Sequence, residues 1–329
     1  MATTGLTQIP PGVQAFYDRN LLERAQPAEV HGRFGQKRPI AQRNGNQIKF
    51  RRYSQLAVAS TPLTEGVTPA GSALAVTDLT ATLAQYGDYI TLSDMVSMTN
   101  QDPVVTEATD VLGDQAGTTI DQARRDVLVA GTNVAYANGV ANRAAVNVKL
   151  STADLDKATR FLKTQNAKYI KDMIDPTDKV GTGSVRKAFV AVVHPDVEYD
   201  LESLTGYRSV SDYGSGESVM EDEIGSYKNI RFVSSTNYKI FAGAGAAGTT
   251  VYKNNGANFD VYATLIFAAN AYGVCPLSGQ AMNTYVKALG SAGSADPLEQ
   301  RSTVGWKATT TTKILNDAWM YRLESAASL

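Results

Sequence analysis

Residues 102–131 read DPVVTEATDVLGDQAGTTIDQARRDVLVAG, and much of the fold turns on whether they form one helix. Asp102 followed by Pro103 is a start signal: a carboxylate accepts orphan backbone donors, and proline loses nothing at the first helical position. Val104, Ala108, Val111, Leu112, Gln115, Ile120, Ala123 and Val127 then follow roughly one face, with Gly131 as the terminator. At about 1.5 Å per residue this spacing predicts a rod of about 40 Å. Gly113 and Gly117 weaken it by about 1 kcal/mol each relative to alanine. Their four-residue spacing sets them on one side, where another backbone can approach, and they leave room for a bend.

Toward the N-terminus, Val13, Phe16, Tyr17, Leu21 and Leu22 recur near helical spacing until Pro27, which predicts a short amphipathic helix inside an N-terminal arm. Residues 31–56 then carry Arg33, Lys37, Arg38, Arg43, Lys49, Arg51 and Arg52 without an acid. Such a run is either a solvated basic stretch or a strap for an acidic neighbour or packaged DNA. Alternation of Ile48 and Phe50 with Lys49 and Arg51, and of Leu79, Ala81 and Leu83 with small residues, predicts two strands. Pro62, Gly66, Pro69 and Gly71 between them make the unit a long hairpin with an extended tip. A lone two-stranded hairpin is marginal in water, so something else must cover it.

Toward the C-terminus, Ser151 three residues before Asp154 predicts the cap of a second helix, with Leu155, Ala158, Phe161 and Leu162 on one side. Ala188–Val193 is an apolar β-branched run that predicts a buried strand, and His194-Pro195-Asp196 turns it into a brief helix reaching Leu204. Further strands are expected at Ile230–Val233, Tyr238–Phe241 and Val261–Phe267, with Asn254-Asn255-Gly256 as a turn. Val304–Leu315 and Trp319–Leu323 flank Asn316-Asp317 and read as a terminal hairpin.

Composition sets the bounds. The chain has 329 residues, 43% hydrophobic and 19% charged, enough for one to three domains with real cores. Its formal charge of -1 carries no global basic excess of the kind that marks a dedicated nucleic-acid reader. Near-neutrality suits a protein packed against copies of itself, because like charges within a Debye length of about 8 Å repel. Cys275 is the only cysteine, which rules out an intrachain disulfide and points to a reducing compartment. No basic segment followed by an apolar run opens the sequence, and Val261–Val274 is too short for a membrane helix of about 20 residues.

Chemistry is sparse. His31, His194 and one cysteine supply too few ligands for a zinc site, and no G-x-S-x-G elbow places a serine beside His194, which reads instead as a helix-capping turn residue. Gly243-Ala244-Gly245-Ala246-Ala247-Gly248 fits a dinucleotide fingerprint, but Thr249, Thr250, Val251 and Tyr252 after it favour strand where the motif needs a helix N-terminus. A flexible surface loop is the expected alternative. Acids bunch at Asp196, Glu198, Asp200, Glu202, Asp212, Glu217, Glu221, Asp222 and Glu223, without the glycine-turned spacing of a calcium loop. Their contrast with residues 31–56 makes Arg33, Lys37, Arg38, Arg43, Arg51, Arg52, Glu221, Asp222 and Glu223 candidate intersubunit contacts.

Several segments together carry a family resemblance: IPPGVQAFYDRNLLERA (9–25), HGRFGQKRPIAQRNGNQIKFRRY (31–53), TPLTEGVTP (61–69) and DPVVTEATDVLGDQAGTTIDQARRDVL (102–128). FVAVVHPDVEYDLESL (189–204), EIGSYKNIRFVSS (223–235) and TVGWKATTTTKILNDAWMYRLES (303–325) continue it. In order and wording they resemble the major capsid proteins of tailed bacteriophages, which share the α+β Hong Kong 97-type fold. The resemblance implies an N-terminal arm (1–45), an extended hairpin loop (46–98), a peripheral domain with a long spine helix (99–150), an axial domain (151–276) and C-terminal strands completing the peripheral domain (277–329). It implies a non-enzymatic subunit that self-assembles into hexamers and pentamers of an icosahedral head around double-stranded DNA. Assembly would occur in the host bacterial cytoplasm, without cofactor or membrane, with scaffold and portal as partners.

Some family members weld subunits through a lysine of the extended loop, but no lysine lies between Lys49 and Lys149. A noncovalent shell, held with a cement or decoration protein, is therefore expected. Other members lose a scaffold-like N-terminal extension; here the recognisable arm begins almost at Met1, so no large removal is expected. The competing readings are a nucleotide-binding α/β enzyme using residues 243–248 and another self-associating phage structural protein.

Overall fold

A computed structural model describes residues 29–54, 56–68, 70–95, 104–170, 187–212, 220, 222–291 and 296–329; the amphipathic helix expected at Val13–Ala25 lies outside them. Along the chain come β1 (Gln36–Lys37), the hairpin strands β2 (Gln47–Tyr53) and β3 (Val76–Thr82), then β4 (Ala84–Ser93) and the long helix α1 (Val104–Val129). Next are β5 (Val134–Tyr136), α2 (Thr152–Thr164), β6 (Phe189–Val193), α3 (Pro195–Glu202), β7 (Tyr207–Ser209), β8 (Glu223–Tyr227), β9 (Ile230–Ser234) and β10 (Ile240–Phe241). The chain closes with β11 (Val261–Phe267), β12 (Tyr272–Pro276), β13 (Asn283–Lys287), β14 (Arg301–Ile314) and β15 (Met320–Ser325).

The first sheet is organised by β14. On one side β4 pairs with it from Ser93↔Arg301 to Ala84↔Thr310. On the other, β12 and β13 run head to tail against Ile314–Thr310 and Lys307–Thr303, and β1 adds in parallel to β12. The sequence reading names no strand over β4, which contains Gly87. Glycine is required there by a close approach: a Cβ at Gly87 would lie 2.6 Å from the Trp306 carbonyl.

Helix α1 packs across this sheet through Leu112, Ala116 and Ile120 against Val304, Trp306 and Ala308. Its 26 residues run unbroken through Gly113 and Gly117, giving a rod of about 39 Å. The buried stripe differs from the expected one. Ala108, Leu112, Ala116 and Ile120 step every four residues into the core, while Val111 is 60% exposed and Gln115 also faces out. Gln115 instead clamps the sheet edge, donating from Nε2 to Asp88 (2.7 Å) and accepting from Trp306 Nε1 (3.1 Å). Asp102 and Pro103, the expected start, lie outside the described residues.

The second sheet has the order β5-β15-β11-β6-β9-β8-β7, with β10 on the side of β11. Both faces are covered. Leu155, Ala158 and Leu162 of α2 and Val197 and Leu201 of α3 pack on Phe189, Ala191, Val193, Phe232 and Ile266. Val190, Val192, Leu265 and Phe267 meet Leu128 and Val129 from the end of α1, together with Val30, Phe34 and Tyr272. Double coverage explains why β6 and β11 are apolar runs buried at every position. The crossover β6–α3–β9 returns parallel, the strand-helix-strand unit expected from sequence. Ser151 Oγ accepts from the Asp154 amide at 3.3 Å and His194 Nδ1 from the Asp196 amide at 3.1 Å, so both expected caps form.

Two expectations are corrected. β14 and β15 do not form a terminal hairpin: they belong to different sheets. The link between them is held by Asp317, which accepts from the Thr132 amide at 3.1 Å, and β15, buried at five of six positions, is drawn between β5 and β11. The Tyr238–Phe241 strand shrinks to Ile240–Phe241, because Tyr238 turns into the core. Each sheet draws strands from both sides of residue 276/277: β12 joins β13 and β14 in the first, and β11 joins β15 in the second.

The basic stretch is also more embedded than a solvated or strap-like run. Val30, Phe34 and Ile40 are buried, and the His31 amide and Nδ1 engage the two carboxylate oxygens of Asp121 on α1 at 2.7 and 2.9 Å. Tyr272 Oη donates to the His31 carbonyl at 2.6 Å. Residues 29–36 are thus fastened to their own body, and of the charged side chains that follow, Lys37, Arg38 and Arg43 face water. Among the described residues no helix is long and apolar enough to cross a membrane; Val261–Val274 divides into β11 and most of β12.

Candidate functional site

The most exposed apolar surface lies on the β2–β3 hairpin. Its strands pair from Gln47↔Thr82 to Tyr53↔Val76, and its base is seated where the Phe50 ring meets Gly273 and Leu315. Arg52 Nη1 donates to Asn316 Oδ1 at 3.1 Å, and Arg51 Nε to Asp78 Oδ1 at 3.0 Å across the hairpin. The Arg51 hydrogen bond holds the Asp78 carboxyl below its ordinary range. Beyond Tyr53 the loop is bare: Leu56, Val58, Leu63, Val67 and Leu74 are 52–88% exposed. At its apex the Val67 amide donates to the Thr64 carbonyl (3.2 Å) while Gly66 takes φ +77°, which leaves Glu65 projecting. Isolated apolar side chains on a surface are ordinary, but this many on one thin projection mark a contact surface.

The charged candidates separate into four fates. Lys37 at the end of β1, Arg38 just after it and Arg43 in the turn beyond are exposed. Arg33, 15% exposed, reaches Asp222 of its own chain at 3.4 Å, so one basic–acidic contact closes within the subunit. Arg51 and Arg52 serve the hairpin. Glu223 is buried, its Oε2 3.2 Å from Arg231 Nη1, and this removes it from the outer surface; Glu221 lies outside the described residues. The wider acidic run is likewise structural in part: Asp200 is fully buried and accepts from the Ser328 amide (2.8 Å) and Oγ (2.6 Å), with Lys149 Nζ at 3.2 Å.

No chemical centre gathers around the remaining candidates. Among the described residues there is no group of three or more His, Cys, Asp or Glu placed to hold a metal. His194 caps α3, and burial lowers its pKa; Cys275 is buried and its thiol is pushed up to about 11, away from the reactive thiolate. Residues 243–248 lead into no helix. The Gly243 amide is taken by Asp260 (2.6 Å), the Ala246 amide by the Val146 carbonyl (2.9 Å), and Phe259 fills the space above Gly248. A pyrophosphate has neither the helix dipole nor free amides there, and the expected flexible loop is a pinned one. Tyr89 and Tyr285, exposed on the first sheet, were not singled out from sequence, since nothing local connects them.

Comparison with known proteins agrees with this arrangement. Residues 76–323 match the profile of a family described as phage capsid protein. Curated proteins gave no significant sequence match. Among solved structures, the capsid of Ralstonia phage GP4 superimposes with a TM-score of 0.68 at 13% identity, covering 91% of this chain and 89% of that one. The cyanophage Pam1 capsid asymmetric unit gives 0.62 at 12% identity, covering 87% and 86%. The head structure of Helicobacter pylori bacteriophage KHP40 gives 0.59 at 14% identity, covering 92% and 90%. With the family profile spanning most of its length and these folds matching nearly all of it, the chain belongs to the phage capsid protein family and has the α+β Hong Kong 97-type fold.

Proposed function

We propose that the chain is the major structural subunit of a bacteriophage head, assembling into hexamers and pentamers of an icosahedral shell around double-stranded DNA. It works with no catalytic step of its own. The single observation that carries this reading is the hairpin: an apolar loop 52–88% exposed at five large side chains, on a body whose central strands β6 and β11 are buried at every position. Such a loop is stable only when a neighbour covers it, and many modest contacts of this kind add up to a closed shell. The first sheet with α1 forms the peripheral domain and the second sheet the axial domain that gathers subunits around local symmetry axes. Residues 1–45 are the arm and residues 46–98 the extended loop, ending in β4 on the peripheral sheet.

Lys37, Arg38 and Arg43 are the contacts with a neighbour or with packaged DNA, which they would meet through its phosphates and without reading sequence. The shell is held noncovalently, with a cement protein, and assembles in the bacterial cytoplasm with scaffold and portal. Expressing the chain and viewing it by negative-stain electron microscopy, alone and with a candidate scaffold, tests the reading. Closed shells or rings of five or six subunits are expected. Discrete monomers or dimers under every condition overturn it.

A further inference from the structure

Asparagine followed by glycine occurs three times, at Asn44-Gly45, Asn138-Gly139 and Asn255-Gly256. In such a pair the glycine nitrogen can attack the carboxamide carbon of the asparagine, because no Cβ on the second residue stands in the way. The fold leaves the three pairs in different states. At Asn255 the reacting groups are held: the Gly256 amide donates to Asn254 Oδ1 at 3.0 Å, Asn255 Oδ1 accepts from the Asn258 amide at 3.4 Å, and the carboxamide is wedged over Gly243. At Asn138 the backbone is fixed at φ 59° and ψ 14°, which turns the Gly139 nitrogen away from the side chain, and the Asn138 amide faces the Asp154 carboxylate at 3.4 Å. A carboxylate so near opposes negative charge on an attacking nitrogen.

The Asn44 pair carries neither restraint. It lies in the middle of an exposed corner pinned at both ends, by Gln42 Nε2 donating to the Ser278 carbonyl at 3.0 Å and the Leu83 amide donating to the Asn46 carbonyl at 2.8 Å. Among the described residues no hydrogen bond engages the Asn44 carboxamide or the Gly45 amide, and a Cβ on Gly45, at φ +84°, would meet nothing within 4 Å. The hollow of about 470 Å³ against this corner has Arg43 as its only charged lining, and residues 31–56 hold seven cations and no acid. Positive surroundings stabilise both the anionic nitrogen and the oxyanion that its attack creates.

We propose that Asn44 is a self-modifying position of the folded subunit, converted by water to isoaspartate and aspartate through a cyclic imide. The Gly45 nitrogen gives its proton to solvent base and bonds to Asn44 Cγ, and the Cγ–Nδ2 bond breaks to release ammonia. Water then opens the imide. Cleavage at the former backbone carbonyl leaves that carbon as a free carboxylate and routes the chain through Cγ, giving isoaspartate; cleavage at Cγ gives aspartate. Either product puts the first carboxylate into the basic stretch, and isoaspartate also lengthens the corner by one methylene between its two pins. The change falls beside Arg43, so aged subunits assemble less well; that consequence rests on the reading of Lys37, Arg38 and Arg43 as contacts, and the chemistry does not.

The test incubates the full, unassembled chain in mildly alkaline buffer and follows tryptic peptides by mass spectrometry and isoaspartate assay, with anion exchange of the intact subunit as the charge readout. The peptide of residues 44–49 is expected to be modified roughly tenfold faster than those holding Asn138 and Asn255. In urea the three rates are expected to converge, because only the folded chain distinguishes them. Asn44→Gln, whose longer side chain disfavours the five-membered ring, is expected to melt like the parent and to form little of the acidic species. If residues 44–49 of the folded chain are modified no faster than the other two sites, or if the acidic species forms undiminished in Asn44→Gln, the proposal is overturned. Equally aged parent and Asn44→Gln subunits are then assembled, and a lower assembled fraction is expected for the parent. Equal fractions with residue 44 modified overturn the contact role of this corner, whereas an unmodified residue 44 overturns the chemistry itself.

Discussion

The pairing of β11 with β15 and that of β2 with β3 are both antiparallel and of similar length, Tyr262–Phe267 against Ser325–Met320 and Gln47–Tyr53 against Thr82–Val76. Their surroundings are opposite. Every residue of β11 is buried, and even the acid at the end of β15 is enclosed: Glu324 is fully buried, with Arg143 Nε and Nη2 each 2.7 Å from its oxygens. In the hairpin a single residue, Ala81, is fully buried, and the ion pair Arg51–Asp78 stands in water. The central sheet brings its own cover, from α2 and α3 on one face and α1 with the docked arm segment on the other. The hairpin has no such cover from its own chain, and on the proposed reading a neighbouring subunit supplies it. Stability and assembly should therefore respond to different residues.

The largest expected effect is at the enclosed acid. Glu324→Ala leaves the Arg143 and Arg322 guanidinium groups beside a cavity without their shared carboxylate, and breaking a buried pair in this way costs about 3–5 kcal/mol. Urea denaturation of unassembled subunits should show that loss. A change under about 1 kcal/mol would mean that water already reaches the site and that the central sheet is less sealed than its burial implies.

A smaller effect is expected at His194, at the C-terminal end of β6 in the same sheet. Burial pushes its imidazole below the ordinary histidine value, and the ring nitrogen that caps α3 must be unprotonated to accept from the Asp196 amide. The nearby Asp196 carboxylate opposes this shift and Lys253 adds to it, while Tyr262 Oη donates to Asp196 at 2.7 Å. With the folded pKa depressed, the unfolded chain takes up the proton first as pH falls. The contribution is present above the ordinary value of about 6.5, is lost as pH drops through it, and levels off below the folded value. Melts of the unassembled subunit between pH 8 and pH 5 should show this decline, and His194→Asn, which keeps a capping acceptor but no titrating ring, should flatten it. An unchanged slope in the variant would assign the pH dependence to other groups.

The same contrast explains what could be read in the sequence. β6 and β11 were legible because a strand covered on both faces is a continuous apolar run, and α2 because Ser151 and Asp154 announce its start. The hairpin was legible as alternation around turn formers, together with the conclusion that it lacked cover. The β14–β15 link was misread: Asn316-Asp317 is a genuine local turn signal, but which strand β15 joins is decided by β5 and β11, far away in sequence. The buried stripe of α1 was displaced for a similar reason, since Thr109, Asp121 and Arg124 are buried there by tertiary partners that no hydrophobic periodicity reveals. Among the charged candidates, residue type could not distinguish Glu223, closed against Arg231, from Lys37 in water. The row formed by Tyr285, Gly305 and Tyr89 was invisible because it exists only where three strands meet.

The smallest expected effect on the subunit falls on the surface with the most exposed apolar area. Leu63 is 77% and Val67 63% exposed, so replacing both by serine removes almost no buried contact and should move the unfolding free energy by no more than about 0.5 kcal/mol. In a shell the accounting changes, because an apolar side chain buried against a neighbour contributes about 25 cal/mol per Å² covered, and the contribution repeats at every subunit. The serine variant should therefore melt like the parent yet assemble poorly, with a raised concentration threshold for particles. Unchanged assembly would show that these side chains stay exposed in the shell, and the contrast between the sheet that seals itself and the hairpin that waits for a neighbour would no longer hold. A lowered melting temperature would show instead that the tip folds back on its own body, which the exposure of Leu63 and Val67 argues against.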